Sequence, residues 1–424
     1  MRSSAPLSRT PVSPTPLPKT SPAPPPATAA GPTLPGNVAL GLTQIVLWGG
    51  SFFLLAVLAD PIVQSTGWPQ GMVVGALSLA ILISGVLSPW IGRMIRRHGG
   101  RTVLVAGSLV IAAGQILMAV SPNLPIFLLA WAVIGAGMAA ALYDPLFAAI
   151  GQAYGASARR AMTQIAIASG FAITVCWPAT RFLVVQVGWR GTCVVYAVLA
   201  VLVVAPLFAW ALPRRERSAA VLPPPAVGAT PLATPTGPAR LPGEHLLAVT
   251  FTSAAVIMTA VSVQLLLLLQ AKDVSAGAAV ALSALIGPSQ VGARILELVF
   301  GRRAHPAWAL LVSSGSVGLG LLILATAPSF AWLAIVLYGA GNGMRTVVRG
   351  TLPLTLYGQD DYAAVMGRLA RLPLLGQAAT PLACGYLTDW FGLDVLLDLI
   401  LGIAVVNGIL SVIVARRAIR SATA

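Results

Sequence analysis

Charge is what this sequence has least of. Asp, Glu, Lys and Arg together make up 9% of its 424 residues, against about 25% in a soluble globular domain. Hydrophobic residues make up 57% and the mean hydropathy is +0.87, which leaves a polytopic membrane protein as the class. The formal net charge is +15. The basic residues are scattered at the ends of apolar spans rather than gathered into a patch, so nucleic acid is not an expected partner. Lysine occurs only at Lys19 and Lys272, and the dominance of arginine with abundant Ala and Gly suggests a GC-rich bacterial source. The three cysteines, Cys176, Cys193 and Cys384, have no metal-ligand spacing and read as small packing residues. The three histidines, His98, His245 and His305, fall at span edges or in loops. No catalytic constellation, cofactor motif or metal cluster is visible, so an enzyme is not expected. The Gly-rich stretch Gly135–Gly137 is not followed by Gly-Lys-Ser/Thr, which excludes a nucleotide loop and favours close helix packing.

Long apolar runs fill the rest. The first 37 residues are rich in Pro, Ser, Thr and Ala without a continuous apolar core, so residues 1–37 read as a disordered cytoplasmic tail, not a signal peptide. A membrane-spanning helix needs about 20 apolar residues. Twelve candidates follow, at about 38–60, 72–92, 102–120, 124–150, 160–182, 191–212, 246–270, 275–300, 306–327, 331–357, 364–387 and 395–415. They are continuously apolar, not alternating, which favours helices over barrel strands. A polar, Pro-rich linker at 214–244 divides a bundle at 38–213 from one at 245–418, with a tail at 419–424. The expected fold is all-α, with twelve transmembrane helices in two pseudo-symmetric six-helix bundles.

With the N-terminus inside, only Arg181, Arg190 and Lys272 fall in outside loops, whereas the arginines around 93–101, 159–160, 214–217, 302–303, 368–371 and 416–420 are inside. This asymmetry predicts cytoplasmic termini and an even number of spans. The halves also repeat: IGAGMAAALYDP (Ile134–Pro145) against YGAGNGMRTVVR (Tyr338–Arg349), Pro178…Gly188-Trp189 against Pro381…Gly392-Leu393, and Pro89/Gly92 against Pro288/Gly292. Parallel repeats of this kind mark alternating-access carriers with the site between the halves.

Three stretches resemble transporters of the major facilitator superfamily, over about residues 38–418. Pro89 to Arg101 resembles the superfamily's loop G-x-x-x-D-R-x-G-x-R between helices 2 and 3, with Arg96 where the Asp is expected, followed by Arg97 and Arg101. Gly188-Trp189-Arg190 resembles the start of helix 6. Leu142-Tyr143-Asp144-Pro145 resembles bacterial members near the monocarboxylate and oxalate/formate carriers. The Gly-Pro-x-x-Gly-Gly element and the helix-4 arginine of proton-coupled drug antiporters are absent, as is the aromatic helix-1 signature of animal monocarboxylate carriers. The resemblance implies that helices 4, 8 and 10 border a central cavity. On those helices lie the intramembrane charges Asp144, Arg294, Glu297, Arg345 and Arg349. Each is costly in a bilayer, about 2.5–3.5 kcal/mol at mid-helix.

Carboxylate carriers of the resembling groups place an arginine in helix 8 that binds the substrate carboxylate, which points to Arg294, with Gln290 at the position of an Asp in the monocarboxylate pattern. The alternative is that Arg294 pairs with Glu297 at i, i+3 as a structural lock. Arg345 and Arg349, one turn apart, either face the cavity or extend to the interface, and Asp144 is expected to pair with Arg349 across the halves. Glu297, Arg97 and Arg101 are further candidates for gating or proton coupling. Gln44, Trp48 and Ser51 share a face of helix 1, Ser253, Thr259, Ser262 and Gln264 lie on helix 7, and Asn342 is on helix 10. Gln44, Trp48 and Asn342 are candidate substrate contacts, or packing residues. These readings converge on a monomeric secondary transporter of a small organic anion, a carboxylate, in a bacterial inner membrane, whose partners are the solute and the bilayer. Efflux of an amphipathic drug-like solute is the alternative within the class, and a non-transporting sensor the alternative outside it.

Overall fold

A chain inside a bilayer must satisfy each peptide N–H and C=O internally, which makes helices the solution for continuous apolar spans. The computed structural model describes residues 33–213, 243–301 and 305–423, and among these residues there is no strand. The helices are α1 (Leu34–Gly49), α2 (Leu55–Thr66), α3 (Gln70–His98), α4 (Gly100–Ala119), α5 (Leu124–Ala141), α6 (Tyr143–Tyr154), α7 (Ala158–Ser169), α8 (Ala172–Leu199), α9 (Ala205–Ala211), α10 (Glu244–Gln270), α11 (Ala276–Ser283), α12 (Ile286–Phe300), α13 (Pro306–Thr326) and α14 (Ala331–Thr423).

Glycines with a conformation essentially closed to other residues divide the longest helices. Gly188 (φ 70°, ψ 175°) splits α8, and Gly358 (φ 73°, ψ −179°) and Gly392 (φ 83°, ψ 172°) split α14. Gly188 and Gly392 are the repeat-related pair of the sequence, and they adopt the same backbone conformation. Among the described residues, eight helical runs are long and apolar enough to cross a membrane. One of them holds two spans and another three, and α1 with α2 completes twelve. The protein is thus all-α, with twelve transmembrane helices in two six-helix bundles.

Several ends and breaks differ from the expected spans. Thr33 caps α1, its hydroxyl accepting from Gly36 N at 3.3 Å, with Pro35 in the first turn. Helix therefore begins inside the stretch expected to be tail. The first span is two helices separated by turns at residues 50–54, and it continues to Thr66. The fourth breaks at Leu142, whose backbone is extended. Pro145 has no N–H and its ring would strike the carbonyl four residues back, that of Ala141. The side-chain amide of Gln44 donates to that freed carbonyl at 3.0 Å. The last helix runs through Thr423, into the expected C-terminal tail. Residues 1–32 of the expected N-terminal tail, residues 214–242 of the expected linker, and Arg302 and Arg303 lie outside the described residues.

The apolar core of the first bundle, built around Phe127, Trp131, Phe147 and Phe208, also takes in Val347, Tyr362, Ala363 and Met366 of the second. The second bundle has two cores of its own, one around Ile257, Leu321 and Ile400 and one around Leu247, Leu310 and Leu352. Among the described residues the shared core joins the halves toward the end that carries Arg96, Arg159 and Arg368.

Candidate functional site

The hydrogen bonds and ion pairs between the halves lie at this arginine-rich end and at mid-height. Arg96 Nη1 lies 3.3 Å from Asp361 Oδ1. Gln359 Nε2 donates to Gln152 O at 2.6 Å. Deeper in, α3 and the Gln359–Phe391 part of α14 meet backbone to backbone at Gly92 and Gly367. Toward the opposite end of these helices, a Cβ added at Gly75 or Gly385 would meet nothing within 4 Å. Among the described residues no hydrogen bond or ion pair joins the halves at that opposite end. The molecule is closed at the arginine-rich end.

Arg294 stands in the middle of α12 and is 4% exposed. Its Nη1 crosses to the other half and donates to Ala166 O at 2.7 Å. Nε donates to Gly343 O at 3.2 Å, and Nη2 reaches Gln290 Oε1 at 3.4 Å and Thr346 Oγ1 at 3.3 Å. The local chain explains this seat. Helix α7 ends at Ser169, and the Gly170 N–H turns to Ile167 O, which leaves Ala166 O without its usual donor four residues on. A cation suits a helix C-terminus. Gly170 leaves the room, since a Cβ there would lie 2.8 Å from Arg294 Nη1. Among the described residues no carboxylate lies within 4 Å of Arg294 or of Arg345.

The lock between Arg294 and Glu297 is not formed. Glu297 instead accepts from Arg159 Nη2 at 2.8 Å, Arg159 Nε at 3.2 Å and Thr163 Oγ1 at 3.0 Å, all on α7 of the opposite half. Two residues three apart on a helix are near neighbours, but Arg294 finds its acceptors where α7 ends and Glu297 finds donors one turn further on. The arginine and the glutamate are separately engaged, and both bridge α12 to α7.

Arg349 Nη2 donates to Asp144 Oδ2 at 2.7 Å, joining α14 to α6 across the halves. Their side chains are 24% and 18% exposed, so the pair is largely desolvated. Reversal of either charge alone is expected to cut transport at least about tenfold, because it places like charges together in a partly buried site. The double reversal Asp144→Arg with Arg349→Asp is expected to restore uptake to within about threefold of the original. Uptake into proteoliposomes measures both, and a double variant as poor as the singles removes the pairing from the mechanism.

Arg345 does not share this direction. Its Nη1 donates to Ala254 O at 3.2 Å and its Nη2 to Asn407 Oδ1 at 3.4 Å, both within its own half. Four residues along a helix turn the side chain by about 40°, enough to send Arg349 across the seam and Arg345 toward α10. Asn342 donates to Tyr338 O at 3.0 Å, and its buried Oδ1 has no protein partner. Trp48 is half-buried among Phe52, Phe53 and Tyr143. Arg97 is exposed and Arg101 half-buried at the closed end. Arg96 of that loop makes an ion pair to Asp361 of the other half, so the expected acid and its partner are inverted in sign. Both members are more than a third exposed, so the pair contributes about 0–1 kcal/mol.

Sequence reading missed several residues. Arg159 counted only as a loop cation, although it and Thr163 share a helix face by spacing. Tyr143 donates to Ser169 Oγ at 2.6 Å and lies within electrostatic reach of Arg294. Asp60 is a further acid in an apolar stretch. It lies inside α2, exposed, with no cation within 4 Å among the described residues.

The family described as Major Facilitator Superfamily matches residues 40–370. No curated protein matches the sequence. Among solved structures, the human organic anion transporter MFSD10 (TETRAN) is similar with a TM-score of 0.69 at 16% identity, over 90% of this chain and 100% of that one. FucP of E. coli, an MFS transporter in the outward conformation, is similar with a TM-score of 0.67 at 15% identity, over 90% and 98%. The proton:xylose symporter XylE, bound to 6-bromo-6-deoxy-D-glucose, follows with 0.63 at 13% identity, over 90% and 92%. At these identities the structural likeness speaks for the fold alone. The family match spans most of the chain, and the protein belongs to the Major Facilitator Superfamily.

Proposed function

We propose that the protein moves a small organic anion, a carboxylate, across a bacterial inner membrane by alternating access, as a proton-coupled carrier or an exchanger. One observation carries the reading: Arg294 is a buried cation between the halves, held by carbonyls and neutral side chains, with no carboxylate within 4 Å among the described residues. The charge of a guanidinium so placed is neutralised by no carboxylate of the protein, and its planar fork can grip a substrate carboxylate bidentately by exchanging its bonds to Gln290 and Thr346. The nearby acids offer a cation little, since Asp144 and Glu297 are each bound to an arginine of the opposite half. That MFSD10 is described as an organic anion transporter agrees with this reading without carrying it.

The arginine-rich end is cytoplasmic on this reading, because basic residues accumulate on that side of membrane proteins. The state described is then outward-facing. Opening inward must break the bonds from α12 to α7, including that from Arg294 to Ala166. Uptake of a panel of radiolabelled carboxylates into proteoliposomes tests the function. Arg294→Lys keeps the charge but loses the planar fork, and is expected to lower apparent affinity for the best substrate by roughly 10- to 100-fold. Unchanged uptake and affinity in that variant and in Arg294→Ala would show that the anion is held elsewhere. Imposing and collapsing a pH gradient distinguishes proton coupling from exchange.

A further inference from the structure

Arg294 is only one part of the site. A group of rings in the first half is linked to it through Tyr143. The break at residues 50–54 between α1 and α2 turns Phe52 and Phe53 toward Trp48, with ring centroids at 5.0 and 5.5 Å. Tyr143, brought in by the break at Leu142, lies 5.2 Å from Trp48. All four rings are half-buried, so they retain accessible faces or edges. Tyr143 ties this group to the cation. Its hydroxyl donates to Ser169 Oγ, which in turn lies 3.4 Å from Ala166 O, the carbonyl that accepts from Arg294. Two buried polar atoms on α1, Trp48 Nε1 and Gln44 Oε1, have no protein partner, leaving one donor and one acceptor unused.

We propose that the substrate is an aromatic carboxylate, its ring against Trp48 and Tyr143 and its carboxylate on Arg294. This rests on the anion reading above and narrows it. A two-carbon anion would satisfy the guanidinium but leave the rings facing water. A lipophilic cation would suit the rings but not Arg294. Ring faces also discriminate by shape and quadrupole: offset or edge-to-face pairs add to simple area burial by a margin equal to roughly 2- to 13-fold in affinity.

The test is equilibrium binding to the purified full chain in nanodiscs, by calorimetry, with four probes: benzoate, cyclohexanecarboxylate, acetate and the neutral benzamide. Benzoate is expected to bind tightest, ahead of cyclohexanecarboxylate by roughly 2- to 13-fold. Trp48→Leu is expected to erase that margin, and Trp48→Phe to retain part of it. Arg294→Lys is expected to weaken both ring-bearing carboxylates by the same factor. Equal or tighter binding of cyclohexanecarboxylate, or a margin that survives Trp48→Leu, overturns the aromatic preference and leaves the anion reading standing. Benzamide binding as tightly as benzoate, or no binding of any carboxylate, overturns both.

Discussion

Arg159→Ala is expected to drive the protein out of the state closed at its arginine-rich end. The Glu297 side chain is 3% exposed and that of Arg159 22% exposed. Removing the arginine leaves the carboxylate buried with Thr163 as its remaining donor. A buried charge stripped of its partner costs about 3–5 kcal/mol, which corresponds to a shift of roughly 150- to 4,000-fold in the equilibrium between the two faces. The companion Glu297→Gln is expected to be milder, because a neutral amide oxygen still accepts from Arg159 and Thr163. Combining the two substitutions is expected to relieve much of the effect of Arg159→Ala, since the stranded charge is gone. A reporter cysteine at Ala370, which is 2% exposed in the closed seam, reads the change as faster maleimide labelling from the arginine-rich side. The three native cysteines are buried, so the background is low. Labelling of the reporter at the same rate with and without Arg159 would show that the ion pair does not hold the gate.

Gly367→Leu is expected to abolish closure of the same end by a steric route. A Cβ at Gly367 would stand 2.5 Å from Ser88 O and 2.8 Å from Gly92 Cα. A Cβ at Gly92 would stand 2.5 Å from Ala363 O and 2.9 Å from Gly367 Cα. These neighbours are backbone and cannot turn aside, as a side chain could. Away from this shared end each bundle keeps core packing of its own, so the cheapest relief is to part the halves here rather than to unfold either. Uptake is expected to fall to background while thermal unfolding in detergent stays within a few degrees. Gly75→Leu and Gly385→Leu, on the same helices where nothing lies within 4 Å, are the controls and are expected to transport normally. Equal loss in the controls would mean that glycine at these helices serves insertion or folding, not the seam.

The two predictions draw on different layers of information. Twelve spans, the internal repeat and the clustering of arginine toward one side are legible along the chain, because apolar length and basic loops are local quantities. Gly188 and Gly392 are legible too, since each half needs a glycine where one span turns into the next. The intramembrane charges also declare themselves, as an arginine or an acid in an apolar run is conspicuous. Their partners do not. Glu297 looks toward Arg294 from the spacing on one helix, yet it binds Arg159, far away in sequence and counted as a loop residue. Span edges were misread where capping or proline chemistry decided them. Thr33 with Pro35 starts a helix inside an apparent tail, and Pro145 breaks one inside an apparent span.

By itself, then, the sequence determined a membrane-embedded, all-helical chain with cations buried in its second half, because hydropathy and charge count need no neighbours to be read. The tertiary structure decided which buried charges meet one of opposite sign and which do not. Arg349 and Arg159 meet acids across the seam, Arg345 turns back into its own bundle, and Arg294 settles against the C-terminal turn of α7. The physical reason is that a buried charge is satisfied by whatever the fold brings within about 3 Å, and in a molecule of two halves those groups come from segments that no local pattern connects.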